Sequence, residues 1–106
     1  MRSNDLCLGL PFNLASYGLL LMMLAKEVNM VPHELIADIG DCHIYKNQIE
    51  PIQVQLTRSG YDLPTLEIIS KNGKDTLDGD ISEYVFEDFK LSNYKSDTAI
   101  KIPLSN

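Results

Sequence analysis

Arg2-Ser3-Asn4-Asp5-Leu6-Cys7-Leu8-Gly9-Leu10-Pro11-Phe12-Asn13 is the stretch on which the reading of this chain turns. Its first residues alternate, which predicts a strand over residues 2–8. Ser3, Asp5 and Cys7 fall on one face, and Asn4, Leu6 and Leu8 on the other. Gly9 marks a turn, and Pro11 occupies the first turn of a helix, where a missing N–H costs nothing. The guanidinium fork of Arg2 and the Ser3 hydroxyl form a pair suited to phosphate oxygens. The Asn13 amide offers one donor and one acceptor, a match for a pyrimidine edge of the right polarity. Standing alone, polar residues around a strand-to-helix turn are most often caps and solvated loop.

Beyond Pro11 the pattern predicts a helix to about Asn29, with Pro32 past its end. Leu14, Ala15, Tyr17, Leu19, Leu20, Leu21, Met22, Met23 and Leu24 wrap nearly its whole circumference. A helix apolar all round belongs at the centre of a structure. On a small chain it would leave several hundred Å² of apolar surface, roughly the largest patch a monomer carries. More protein is therefore expected to cover it. The run from Leu14 to Ala25 falls well short of the about 20 residues a membrane span needs. Met22 and Met23 are read as core filler, not as ligands.

Further on, Glu34 to Tyr45 reads as a strand interrupted at Gly40 by a bulge or close approach. Alternation sets Asp41, His43 and Tyr45 on one face and Cys42 and Ile44 on the other. From Asn47 to Arg58 the apolar spacing suits either a helix or a strand, and Asn47 with Glu50 resembles a capping box, which favours the helix. Leu66 to Ser70 is a short strand. Asn72-Gly73 and Asp78-Gly79 place turns in a surface loop over residues 70–82. Phe86 to Leu91 reads as another strand, and the tail from Tyr94 to Asn106 is irregular. The expected class is α+β, with residues 1–106 as one piece of a domain.

The 106 residues carry a net charge of −6, with 44% apolar residues. One domain at most, with a modest core, fits that length. The acidic balance excludes the electrostatic footprint of a duplex nucleic-acid or anionic-membrane binder, yet a mononucleotide needs only a local cation. Two cysteines are too few for a disulfide framework, so a reducing cytoplasm is the expected setting. No basic-then-apolar leader opens the chain. No metal-ligand spacing stands out.

RSNDLCLGLPFN followed by LASYGLLLMMLA resembles the central signature of thymidylate synthases, the folate-dependent enzymes that methylate dUMP. GDCHIYKN at Gly40 to Asn47 resembles that family's second nucleotide-binding segment. QLTR at Gln55 to Arg58, LPTLEI at Leu63 to Ile68, FEDF at Phe86 to Phe89 and IKIPLSN at the end follow in family order. The likeness covers essentially the whole chain, apart from a variable insert near Ser70 to Ser82. It implies the C-terminal part of the thymidylate synthase fold, a mixed sheet around a long buried apolar helix. The family's nucleophilic cysteine, in a Pro-Cys-His context, stands upstream of the matched region. Cys7 and Cys42 are not expected to replace it.

The resemblance also implies roles. Arg2 and Ser3 would bind the dUMP phosphate. Asp5 would serve both ligands, its N–H near the pyrimidine and its carboxylate on the pterin. Leu8, Gly9 and Phe12 would line the pocket for 5,10-methylenetetrahydrofolate, with Gly9 permitting close approach. Asn13 would read the uracil edge, and His43 and Tyr45 would hold the ribose 3′-hydroxyl. Deoxycytidylate hydroxymethylases carry an aspartate where Asn13 stands, so uracil is expected over cytosine. Gln48 replaces a common histidine. The implied partners are dUMP, folate, the nucleophile-bearing N-terminal part and a second copy in a homodimer. A non-catalytic, nucleotide-binding remnant is the alternative.

Overall fold

A computed structural model describes residues 3–105. They form an α+β chain of small sheets and two helices, which falls into two compact units. The first comprises the described residues up to Gly18, Leu35–Gly60 and those from Asp97. The second comprises Leu19–Glu34 and Tyr61–Ser96.

In the first unit, β1 (Ser3–Asp5) pairs in parallel with β2 (Asp41–His43), in the register Ser3 to Asp41, Asn4 to Cys42 and Asp5 to His43. The Leu6 N–H extends the pairing to the His43 carbonyl at 2.9 Å. Both strands are shorter than alternation predicts. Residues 6–8 form a turn instead of strand, because the Asp5 carboxylate takes the Cys7 and Leu8 N–H groups that a continuing ladder would need. Residues 30–39 have no regular structure, and the chain bends at Gly40 before β2 begins.

Helix α1 (Gly9–Glu27) starts two residues before the proline. A Cβ at Gly9 would lie 2.6 Å from Asn4 Oδ1, so any larger residue there would have to displace the buried Asn4 side chain. Its end is set by Asn29 at φ 54°. Met30 N–H reaches the Ala25 carbonyl at 2.7 Å and Asn29 N–H the Lys26 carbonyl at 3.1 Å, the two bonds of a Schellman motif. Within this chain the expected burial of the helix is not seen. Phe12 is 75% exposed, Tyr17 and Leu24 are open, and only Ala25 and Glu27 are buried among its described residues. A chain of this size has too little other mass to cover a helix that is apolar on every side.

Helix α2 (Ile49–Leu56) follows a 3-10 turn at Lys46–Gln48, with Pro51 in its first turn. Helix wins over strand here, as capping chemistry suggests, but the reciprocal pair is not Asn47 and Glu50. Tyr45 N–H donates to Gln48 Oε1 at 3.4 Å, and Gln48 N–H returns to the Tyr45 carbonyl at 2.9 Å. The irregular tail is fastened along this helix. Arg58 Nη1 donates to the Thr98 carbonyl at 2.7 Å beyond its C-terminal end, and Ser105 Oγ to Asn47 Oδ1 at 2.6 Å before its start.

In the second unit, β3 (Thr65–Ile68) and β4 (Phe89–Ser92) form an antiparallel pair. A 3-10 turn at Phe86–Asp88 occupies the first half of the strand expected there. In place of one mixed sheet, the described residues therefore make two separate two-stranded sheets. The expected surface loop contains a tight hairpin, with Asn72 and Gly73 at φ 50° and 72° between mutually bonded Lys71 and Lys74.

This unit is organised by buried polar groups more than by an apolar core. Asp88, 2% exposed, accepts from the Ser70 hydroxyl and from the N–H groups of Asn72 (2.7 Å), Val85 (2.9 Å) and Gly73 (3.4 Å). Burial pushes its carboxyl up, but these donors outweigh burial and hold it at about 2. Lys71, 1% exposed, binds Glu27 Oε2 at 3.1 Å, the Asp78 carboxylate and the Asp80 carbonyl at 3.1 Å. Glu27 also accepts from Gly79 N–H at 2.8 Å and the Tyr84 hydroxyl at 2.7 Å. Burial and the Glu27 carboxylate push the Tyr84 phenol up to about 12.

Candidate functional site

Most residues singled out in the sequence lie in the first unit. Asp5 stands at the end of β1, where its Oδ1 accepts Cys7 N–H at 2.9 Å and Leu8 N–H at 3.2 Å. This Asx-type turn swings the chain out of the strand and into α1. Oδ2 accepts from Gln48 Nε2 at 3.0 Å. Burial alone would raise the Asp5 carboxyl. The Gln48 amide, the two turn N–H groups and nearby His43 reverse that and hold it below the ordinary carboxylate value. A carboxylate presents about four acceptor positions, so one remains open among the described residues, on a side chain that is only half-buried.

His43 is the strand neighbour of Asp5, and its ring meets the Tyr45 ring edge-on at 5.1 Å between centroids. Asp41 Oδ1 lies 3.4 Å from His43 Nδ1. Parallel pairing thus brings Asp5 into one neighbourhood with His43 and Tyr45, although dozens of residues separate it from them in sequence. Leu8 and Gly9 adjoin the same turn, and Asn13 lies one helical turn beyond Gly9, half-buried. Phe12 points its ring into the open. Ser3 is exposed, opposite Asp41 in the register. Arg2 lies outside the described residues.

Sequence reasoning noted Gln48 only as the replacement for a common histidine and gave it no role. It is fully buried, and its amide joins Asp5, the Tyr45 N–H and the Pro103 carbonyl, the last at 3.1 Å. The available signal was its place three residues after the helix-entry residue Tyr45, where Gln side chains reach back to the backbone. The thiols differ from each other. Cys42 is exposed, while Cys7 is buried, with its pKa raised by burial and the Asp5 charge, so it is a poor thiolate.

Two grooves are lined by other residues. One, of about 280 Å³, runs between Leu14 and Tyr17 of α1 and the segment Leu35–Asp38. The other, of about 320 Å³, lies in the second unit against Leu24, Val28 and Met30 to Glu34. Among the described residues no helix is long and apolar enough to cross a membrane, and no group of three or more His, Cys, Asp or Glu is placed to hold a metal ion.

The half-buried Asp5 carboxylate thus stands at a strand-to-helix turn, beside His43 of the parallel neighbour and Tyr45 just past it. Comparison with known proteins identifies the family. The thymidylate synthase family model matches residues 1–106, and the chain belongs to that family. It is 46% identical over 104 residues to a thymidylate synthase of Francisella philomiragia, covering 98% of this chain and 36% of that protein. A thymidylate synthase of Staphylococcus haemolyticus is 44% identical over 104 residues, covering 98% of this chain and 30% of the relative. The chain therefore spans about a third of the length of the curated relatives it matches.

Proposed function

We propose that this chain acts as the C-terminal part of a thymidylate synthase, forming part of the pocket in which dUMP is reductively methylated to dTMP. The supporting observation is the Asp5 carboxylate, held by its own turn and by Gln48 beside His43 and Tyr45, in a chain matched along its length by the family. The nucleophilic thiolate is expected from polypeptide outside these residues, because Cys7 is buried with a raised pKa. In this reading the exposed apolar side of α1 is covered in the complete enzyme, a cytoplasmic homodimer.

Arg2 and Ser3 bind the phosphate, and His43 and Tyr45 take the ribose 3′-hydroxyl. Asn13 accepts from the uracil N3–H and donates to the 4-carbonyl. Asp5 uses its backbone N–H near the pyrimidine and its open acceptor position toward the pterin of 5,10-methylenetetrahydrofolate. That co-substrate supplies the one-carbon unit and the reducing hydride. The donor set fits it, since a pterin edge presents N–H donors to a carboxylate and Leu8, Gly9 and Phe12 offer apolar surface beside the turn. The chain's contribution is orientation and fixed polar groups around the reacting ring.

The test is to combine this chain with the nucleophile-bearing remainder of a relative and follow dUMP-dependent conversion of the folate to dihydrofolate. Turnover in the mixture, with none from this chain alone, is the expected result. A folded but silent mixture means a non-catalytic nucleotide-binding remnant. In the active mixture Asn13→Asp shifts preference toward dCMP, since a mismatched hydrogen-bonding edge is worth up to about 10⁴–10⁵ in selectivity.

A further inference from the structure

We propose that Gln48 is a positioning residue that ties the C-terminal tail to the Asp5 carboxylate, so that the two are ordered together. A primary amide has two donor hydrogens and an acceptor oxygen. At Gln48 the Nε2 hydrogens go to Asp5 Oδ2 at 3.0 Å and to the Pro103 carbonyl at 3.1 Å, while Oε1 takes Tyr45 N–H at 3.4 Å. Turning the amide over would set Oε1 against two acceptors, so its orientation is fixed by its neighbours. With no exposure to water, a lost partner is not replaced by solvent.

Among the described residues the tail is also held at Asp97 and Thr98, by Arg58, and at Ser105, by Asn47. Gln48 is the contact that reaches from the tail to the turn at Asp5. Releasing it leaves Oδ1 with its two N–H donors but frees Oδ2, and with it the carboxylate's rotation. The titratable groups facing this amide are Asp5 and, through it, His43 with Asp41 3.4 Å away. The coupling is a property of the chain. Its catalytic consequence rests on the proposed pairing of Asp5 with folate.

Hydrogen exchange of the backbone amides of Cys7 and Leu8, with the NMR order parameter of Leu104 as reporter of the tail, tests the link in the full chain, as wild type, Gln48→Glu and Gln48→Met, at pH 8 and pH 5.5. Gln48→Glu keeps the shape but faces Asp5 with a second carboxylate. At pH 8 it is expected to lose about tenfold of protection at Cys7 and Leu8 together with a fall in the Leu104 order parameter, and to regain part of both at pH 5.5, when a protonated carboxyl donates again. Gln48→Met is expected to lose protection at both values. Amides of α1 between Asn13 and Gly18, in the same unit as Gln48, report whether the variants fold. Should a variant unfold, removal of residues 103–106 tests the link from the other end, and is expected to raise exchange at Cys7 and Leu8 several-fold, about three or more. Tail release with Cys7 and Leu8 unchanged, in any of these variants, overturns the proposal. In the reconstituted enzyme, Gln48→Glu is expected to raise the folate KM about tenfold and leave the dUMP KM within about twofold. If the exchange coupling holds while the wild-type mixture is inert, the functional reading fails and the coupling stands.

Discussion

Asp5 and Asp88 are two aspartates doing the same local job in different surroundings. Each gathers backbone N–H groups in a turn, and each has its carboxyl pKa lowered by the donors it collects. Asp88 is sealed, and all of its roughly four acceptor positions are taken. Asp5 is half-open and keeps one position among the described residues. A carboxylate saturated by its own chain can only hold structure, whereas one held firmly with a position spare can also hold a ligand. The same contrast separates Lys71, enclosed by three acceptors, from His43, which stands at a strand edge beside Tyr45.

Substitution can break this contrast at either end. The largest effect is expected from Asp5→Asn in the reconstituted enzyme, with turnover down by about 10²–10³ and a melting temperature that moves less than in Asp88→Ala. Asp88→Ala strands three N–H groups and a hydroxyl, and should lower Tm by about 10 °C or more in thermal unfolding followed by circular dichroism. Lys71→Met removes the cation that Glu27 and Asp78 share and should cost about 5–10 °C by the same measurement. If Asp5→Asn proves as destabilising as Asp88→Ala, the division between binding and structural carboxylates collapses.

The pH profile sharpens the same point. Asp88 titrates at about 2 when folded, against an ordinary 3.8, so its contribution is present above about pH 4 and lost as the pH falls through 2. At the other end Tyr84 is raised from 10.0 to about 12, and Lys71 is raised as well. Their contributions are complete below about pH 10 and lost on further alkalinisation. Urea midpoints between pH 5 and 2 should fall for the wild type and flatten for Asp88→Asn. The smallest effect is at the end of α1, where Asn29→Ala should cost about 1 kcal/mol, because alanine tolerates positive φ poorly.

What the sequence disclosed follows from where its signals are local. Pro11 and Asn29 punctuate α1, Asn72-Gly73 makes the hairpin it advertises, and the RSND and GDCHIYKN segments point to a shared neighbourhood that β1–β2 pairing provides. The reading stretched β1 and β2 because alternation carries no information about a side chain that captures the next N–H groups, as Asp5 does. It placed a long strand over residues 34–45, where the irregular segment before Gly40 has little within this chain to pair with. Gln48 was noticed but given no role, because its partners, Asp5 and Pro103, lie far away on both sides in sequence. Lys71 looked like loop surface, and only tertiary structure sets it beside Glu27.

The pairing of β1 with β2 has a consequence for how the molecule comes into being. Parallel neighbours cannot close through a tight hairpin, so Asp5 and His43 meet only after the helix and the irregular stretch between them have been synthesised and brought round. On the ribosome, at about 5–20 residues per second, Asp5 waits for seconds before its strand partner emerges. The pairing of Asp5 with His43 thus forms only once α1 has emerged, and a pause in translation before Gly40 would prolong the interval in which the apolar helix stands alone.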